Sequence, residues 1–245
     1  MKKQAHRTLL YLYGISDNSA AQDVPTVVGV DPAFRLQSAA VGDLAAWYSE
    51  VDAHDFGDAL SENMENLEWL ADTSVRHQRA VAAIAERTAI VPARFGTVFV
   101  SLKNLSADVA ARAESTRETL SKITGAEEWG VKVRRRTPAV AAQSVAAASG
   151  TDYLRKKAAL QQQRTPATLS SEVVEFADAL AEIAIESAAV GKLSSGQRDL
   201  EWQAAFLVRK SDKRKWEAAL RKYAKSWGDS REIECTGPWP PYSFV

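Results

Sequence analysis

From Glu128 to Thr236 the apolar residues switch between a spacing of two and a spacing of three or four in a set order. That order constrains the fold of this chain more than any other feature. Trp129, Val131 and Val133 alternate along a strand from Glu128 to Arg134, and a helical pattern follows. Strands are then expected over Ala188 to Leu193 and Leu200 to Arg209, a helix over Asp212 to Trp227, and a closing strand over Arg231 to Thr236. The order βαββαβ is that of a ferredoxin-like domain, with two helices on one face of an antiparallel sheet. Its last helix is the best defined element: Trp216, Ala219, Leu220, Tyr223 and Trp227 form one stripe. Ser211 stands where an N-cap is expected, and Gly228 where a left-handed terminator belongs. The earlier helix, from Thr151 to Ser187, contains Pro166, which removes a backbone donor and costs about 3 kcal/mol inside a regular helix. A kink or a break is expected there. Thr165-Pro166 also reads as a cap followed by a first-turn proline, opening a segment that carries Leu169, Val173, Phe176, Leu180 and Ile183. The Ala/Ser/Gln-rich stretch between Thr137 and Gly150 fits either a helix or a loose excursion.

The first half follows a different grammar. Thr8 to Tyr13, Val27 to Val30, Phe34 to Ala39 and Leu44 to Val51 are short β-branched or aromatic runs separated by Gly, Pro, Asp and Asn. At least three of them should pair in one sheet. From Glu62 a helical period takes over, with Leu67, Leu70, Val81, Ile84 and Thr88 on one face and Ser61 placed to cap it. Val91-Pro92 must leave helical geometry, because proline disfavours the α region for the residue before it. Thr97 to Val100 then reads as a strand. A second helix is expected from about Ser106, with Val109, Ala113, Thr116, Leu120 and Ile123 on one face and a stop at Gly125. The expected fold class is therefore α+β in two domains: a mixed α+β domain over 1–124 and a ferredoxin-like domain over 125–245, ending in a Pro/aromatic tail.

Thirty-one acidic residues balance thirty-one basic ones, so no net field draws the chain to nucleic acid, an anionic membrane or a cationic partner. The apolar run near the N-terminus is too short for a signal segment, and nothing approaches the ~20 apolar residues of a membrane-spanning helix. The single cysteine, Cys235, has no partner for an intramolecular disulfide, in keeping with a reducing compartment. A soluble, cytoplasmic protein is expected.

Chemistry-bearing motifs are sparse. His6, His54, His77 and Cys235 are scattered, with no CxxC or HxxxH pair, so any metal site would need convergence in space. His77 lies seven residues after Leu70 and seven before Ile84, on the apolar stripe of its helix, and reads as a satisfied core histidine rather than a ligand or base. Gly191-Lys192-Leu193-Ser194 lacks the earlier glycine of a phosphate loop, and no GxSxG or GxGxxG element occurs. No catalytic residue, cofactor site or metal site is assigned, and the protein is expected not to be an enzyme. Arg134-Arg135-Arg136, after Lys132, is the one dense basic run. On a ferredoxin-like sheet it raises an RNA-binding module as the alternative function. Against it, Trp202 to Val208 lacks the glycine-flanked aromatic pattern of an RNA-stacking strand. The terminal run Gly237-Pro238-Trp239-Pro240-Pro241-Tyr242-Ser243-Phe244-Val245 excludes helix and central strand. It is either a clasp on its own domain or a rigid ligand for a partner.

Ala89-Ile90-Val91-Pro92-Ala93-Arg94-Phe95-Gly96-Thr97-Val98-Phe99, after a helix containing His77, resembles the central signature of the gas vesicle protein F/L family, with Ala93 where Leu is usual. Glu128 to Val133 resembles the opening strand of that family's second domain, and Gly237 to Val245 resembles its terminal signature. The resemblance does not separate F from L. It implies an accessory role in forming gas vesicles, the hollow protein shells of buoyant prokaryotes, without cofactor or catalytic step. The implied partners are the shell protein and other vesicle accessory proteins, with no nucleic acid or membrane. The candidate structural or partner-binding residues are Arg94, Phe95, Trp239, Pro240, Pro241, Tyr242 and Phe244. Arg94 is expected to tie the strand after Pro92 to a carboxylate or to carbonyl groups across its domain, with Phe95 and Val98 buried.

Overall fold

The computed structural model describes residues 7–136, 169–189 and 199–245. It is a mixed structure with two sheets, and its contacts divide the chain into two compact units: Met1–Trp129 with Gly237–Val245, and Gly130–Thr236. The division differs from a cut at 124/125 in one important respect, because the terminal run groups with the first unit. The reason is polar as well as apolar: Ser243 and Tyr242 find hydrogen-bond partners on Glu128 and His77. The stretch 137–150 and the break expected at Pro166 lie outside the described residues.

The first unit is built on β1 (Thr8–Asp17), β2 (Gln37–Val41), β3 (Leu44–Asp52), β4 (Ile90–Pro92) and β5 (Val98–Phe99), in the order β2-β3-β1-β4 with β5 also paired to β1. β1 is the central strand, antiparallel to β3, and its register shifts between Leu12 and Gly14. Gly14 faces Pro92, and a Cβ there would stand 2.6 Å from the Val91 carbonyl oxygen, so the close approach of β4 requires glycine. The expected strand at Val27 to Val30 is only a bridge between Val28 and Arg35. Alternation along β1 sends Leu9, Tyr11 and Tyr13 into a core shared with Trp47, Val51, Phe56, Ala80, Val81 and Ile84.

Helix α1 (Leu60–Glu65) and helix α2 (Leu67–Ala85) replace the single helix expected from Glu62. Asn66 breaks the pattern: its backbone is extended, and its side chain accepts from the backbone N–H groups of Glu68 and Trp69 at 3.0 and 3.1 Å. A carboxamide cap thus overrides an unbroken apolar period. Ser61 caps nothing, since it lies inside α1. Helix α2 buries Thr73, His77, Ala80, Val81 and Ile84, whereas Leu67 on the expected stripe is 81% exposed. The second helical pattern is likewise two helices, α3 (Leu102–Ala111), capped by Ser101, and α4 (Ala113–Ile123), followed by Gly125 at φ +73°.

In the second unit the described elements run β6 (Ala126–Arg135), α5 (Ser171–Ala181), β7 (Glu186–Ala189), β8 (Leu200–Arg209), α6 (Lys213–Trp227) and β9 (Arg231–Trp239). The ends of β6 and β9 cross into the first unit. Strand order is β7-β8-β6-β9, with β9 on the edge, where its proline is tolerated. Val173, Phe176 and Leu180 of α5 and Trp216, Tyr223 and Trp227 of α6 are buried as the period predicts. Phe176 is the hub: its ring centroid is 5.0 Å from both Tyr223 and Trp227. Ser211 lies in the 3-10 turn Lys210–Asp212 rather than at a cap.

Candidate functional site

The signature loop, α2 and the terminal run meet around His77. Tyr11 and Tyr13 reach the helix because they stand two apart on β1 and therefore on one face. His77 is 2% exposed, with Nδ1 3.0 Å from the Tyr11 hydroxyl and Nε2 3.0 Å from the Tyr242 hydroxyl. The Gly96 N–H donates to the Tyr11 oxygen at 3.2 Å, so Tyr11 can spend its own hydrogen on the imidazole. Tyr13 stacks on His77, accepts from the Val30 N–H, and exchanges a 2.8 Å hydrogen bond with Ser49. Phe95 meets both Tyr11 and His77 edge to face. Burial holds the His77 imidazole well below its usual value, at about 4, and raises the Tyr11, Tyr13 and Tyr242 phenols. His77 is the satisfied core histidine that its period suggests.

The terminal run is anchored at further points. The Ser243 N–H and hydroxyl donate to the two Glu128 carboxylate oxygens at 2.9 and 2.7 Å. Phe244 is 5% exposed, Pro240 and Pro241 are buried, and Tyr242 is half-buried. Gly237 makes the entry: its φ is +131°, and a Cβ there would lie 2.8 Å from the Glu128 carbonyl oxygen. Trp239 remains 50% exposed.

Of the residues singled out in the sequence, Phe95 and Tyr242 therefore come together on His77. Arg94 does not. It was expected to tie its strand to a carboxylate or to carbonyl groups, yet its side chain is exposed and makes no ion pair or hydrogen bond among the described residues. Only its carbonyl is used, accepting from the Thr97 N–H and hydroxyl. Phe95 and Val98, expected to be buried, are half-buried. Tyr11, Glu128 and Ser243 were missed. Their roles rest on pairings across 66 and 115 positions that no local spacing announces.

A pocket of about 370 Å³ opens beside this network, lined by Leu70, Ser74, His77, Gln78, Phe95 and Tyr242. Ser74 is one turn from His77, but both imidazole nitrogens are engaged, so His77 offers no free lone pair to activate a hydroxyl. The pocket has the makings of a binding recess rather than of a nucleophile and base. Elsewhere in this unit Asp52, His54 and Asp55 approach one another closely enough to hold a cation. The cluster is accounted for by local turns: Asp52 accepts from the backbone N–H groups of His54 and Asp55. Asp55 bonds the exposed imidazole and raises its pKa.

In the second unit the basic run is matched by acids. Arg134 pairs with Asp199 and Glu234, Arg135 with Glu201, Arg136 with Asp229 and Glu232, and Lys132 with Glu234. A phosphate backbone would have to displace these partners, which weakens the RNA-binding alternative. No described helix is long and apolar enough to cross a membrane.

Comparison with known proteins matches this architecture to one group. A gas vesicle protein L from a Streptomyces species is 27% identical over 234 residues, covering 89% of this chain and 85% of the relative. Gas vesicle protein F2 of Halobacterium salinarum is 25% identical, covering 96% of this chain and 91% of the relative. The crystal structure of a gas vesicle protein GvpF from an Anabaena species superposes with a TM-score of 0.70 at 18% identity, covering 97% of this chain and 95% of that one. A second, from Microcystis aeruginosa, gives 0.66 at 17%. The profile of the family described as gas vesicle synthesis protein GvpL/GvpF matches residues 9–245, and the chain belongs to that family.

Proposed function

We propose that this protein acts as a non-enzymatic accessory factor that binds the gas vesicle shell protein, other vesicle accessory proteins, or both, while the vesicle is being built. The observation that carries the reading is Arg94. Its loop is pinned by Tyr11 and by its own turn, while its guanidinium projects without a partner among the described residues. An exposed arginine in a held loop, next in sequence to Phe95 of the recess, is what a partner-binding surface offers. Shell subunits need a partner to shield exposed apolar surface until wall contacts replace it, which is the physical rationale for such a factor. The work is done in solution and at growing vesicles.

The test is capture of co-expressed vesicle proteins by the full-length chain at low and high salt. With a net charge of zero, apolar burial should dominate, and the captured amount should fall less than about threefold from low to high salt. Retention of RNA with a steep salt slope, and of no vesicle protein, would replace this reading with the RNA-binding one.

A further inference from the structure

Between His54 and Arg76 the chain places Asp55, Asp58, Glu62, Glu65, Glu68 and Asp72 without a single lysine or arginine, although the whole chain is neutral. Glu62, Glu65, Glu68 and Asp72 are exposed, and none is paired among the described residues. This contrasts with Asp43, Asp199, Glu201, Glu232 and Glu234, each of which meets an arginine. The same short stretch exposes large apolar side chains: Leu67 is 81% and Met64 42% exposed. Leu67, Leu70, Ser74 and Gln78 follow one another at helical spacing on α2, and the last three line the pocket closed by Phe95 and Tyr242. Leu67 and Leu70 thus lead along α2 to a recess that Ser74 and Gln78 continue, with unpaired carboxylates on the helices that carry it.

We infer that this face of α1 and α2 docks a basic amphipathic helix of a partner protein, one apolar side chain entering the recess while lysines or arginines meet the carboxylates. The inference deepens the accessory-factor reading and rests on it for the partner being a protein. Charge complementarity selects the occupant: Glu62, Glu65, Glu68 and Asp72, unpaired among the described residues, repel an acidic segment and steer a basic one. Helix-in-groove binding supplies the apolar half, through anchors at helical spacing. Arg94, next to Phe95 in sequence, is a poor neighbour for a second cation, so the partner's basic residues belong on the α1–α2 side.

Full-length protein can be titrated, by fluorescence anisotropy, with a synthetic Leu/Lys amphipathic peptide of roughly 18 residues, and with Leu/Glu and Ser/Lys counterparts. The Leu/Lys peptide should bind and the other two should not. The exposed pair Met64→Ser/Leu67→Ser, checked by circular dichroism, should weaken binding about tenfold, and Glu62→Gln/Glu65→Gln/Glu68→Gln should weaken it about threefold and flatten its salt dependence. Val100→Ser/Leu102→Ser removes comparably exposed apolar groups elsewhere in the same unit and should change nothing. Equal binding of the Leu/Glu or Ser/Lys peptide, or indifference to the Met64/Leu67 pair, would overturn the inference. So would a dimer of this chain that the pair dissolves, because a second copy would then be the occupant. Vesicle-protein capture is read separately: peptide binding without capture sinks the accessory reading, and capture unaffected by the Met64/Leu67 pair sinks the docking face.

Discussion

The two units solve the problem of buried polarity in opposite ways. In the first, polar groups lie inside the core and satisfy one another: Tyr11, His77 and Tyr242 form one chain of hydrogen bonds, Tyr13 and Ser49 another, and the Trp47 indole donates to Ser16. In the second, aromatic rings fill the interior around Phe176 and Phe206, and most ion pairs lie where water reaches them, the half-buried Arg231–Glu201 pair being the exception. Directional bonds in a dry core cost the full desolvation of an orphaned group when one partner is lost, whereas exposed ion pairs contribute little each. The signature loop and the terminal run are therefore fixed in the unit where geometry is most strictly enforced.

Removing the terminal run should expose this asymmetry most strongly. Deleting Trp239–Val245 removes the Phe244 packing, leaves Nε2 of His77 without Tyr242, and strips Glu128 of both Ser243 contacts. A loss of about 4 kcal/mol or more is expected in the first unit. Hydrogen exchange should then accelerate in α2 before α6. Earlier loss of α6 protection would mean that the clasp serves the second unit, as the sequence alone suggests.

His77→Ala comes next, at about 3 kcal/mol, because it leaves two phenols in a core with one partner fewer each. The same residue sets a pH dependence. Its folded pKa, about 4, lies below the unfolded value near 6.5, so the unfolded chain takes up the proton first. Stability is full above about pH 6.5 and falls as pH drops toward 4, by on the order of 3 kcal/mol. In the second unit Glu201 is pushed up by burial but held below its usual value, on balance, by Arg231 and Arg135. That contribution is kept until pH falls through the carboxylate range. Going from pH 7 to pH 5 should weaken the first unit alone against chemical denaturation, and His77→Ala should abolish that weakening, since the exposed His54, whose pKa Asp55 raises, acts in the opposite direction. A pH response surviving in His77→Ala would assign it elsewhere.

Legibility in the sequence follows the same divide. Much of the described second unit was readable because its main elements are each stabilised by one apolar stripe: Val131 and Val133, then Phe176 and Leu180, then Trp216, Tyr223 and Trp227. In the first, single polar residues redirect the chain against its apolar period, Asn66 by capping α2 and Ser101 by starting α3 early. The candidate site was half legible. Proline and aromatic content marked the terminal run, but nothing local indicates that Tyr242 reaches His77 across 165 positions. Arg94 was expected to tie its strand across the domain, and its exposed side chain makes no such tie among the described residues, because a local motif fixes a turn without showing which acceptors the fold brings near it.

A smaller effect is expected from the best-connected charge in the second unit. Arg231 bonds Glu201 at 2.8 Å and Ser170 at 3.0 Å, pairs with Glu172, and lies 5.3 Å from the Trp227 ring centroid. Arg231→Lys keeps the charge and loses the planar fork, at a cost of about 1–2 kcal/mol by urea denaturation. A cost above that of His77→Ala would break the contrast between the two units.

The smallest effect on stability should come from Arg94→Ala. The backbone of its loop is held by the Tyr11 hydroxyl on Gly96 and by the Thr97 bonds to the Arg94 carbonyl, and none of these uses the guanidinium. An exposed side chain without a partner contributes within about 0.5 kcal/mol, so the melting curve should overlay that of the parent protein. Capture of vesicle proteins should nonetheless drop, since the substitution removes the one group in this loop that is presented without an internal use. Arg94→Lys separates charge from shape: if the partner offers a carboxylate to the planar fork, lysine restores little of the capture, and if only a positive field is required it restores most of it. Were Arg94→Ala to lower stability by as much as His77→Ala, the first unit would extend its hydrogen-bonded network to this arginine, and the loop would be a strut rather than a contact.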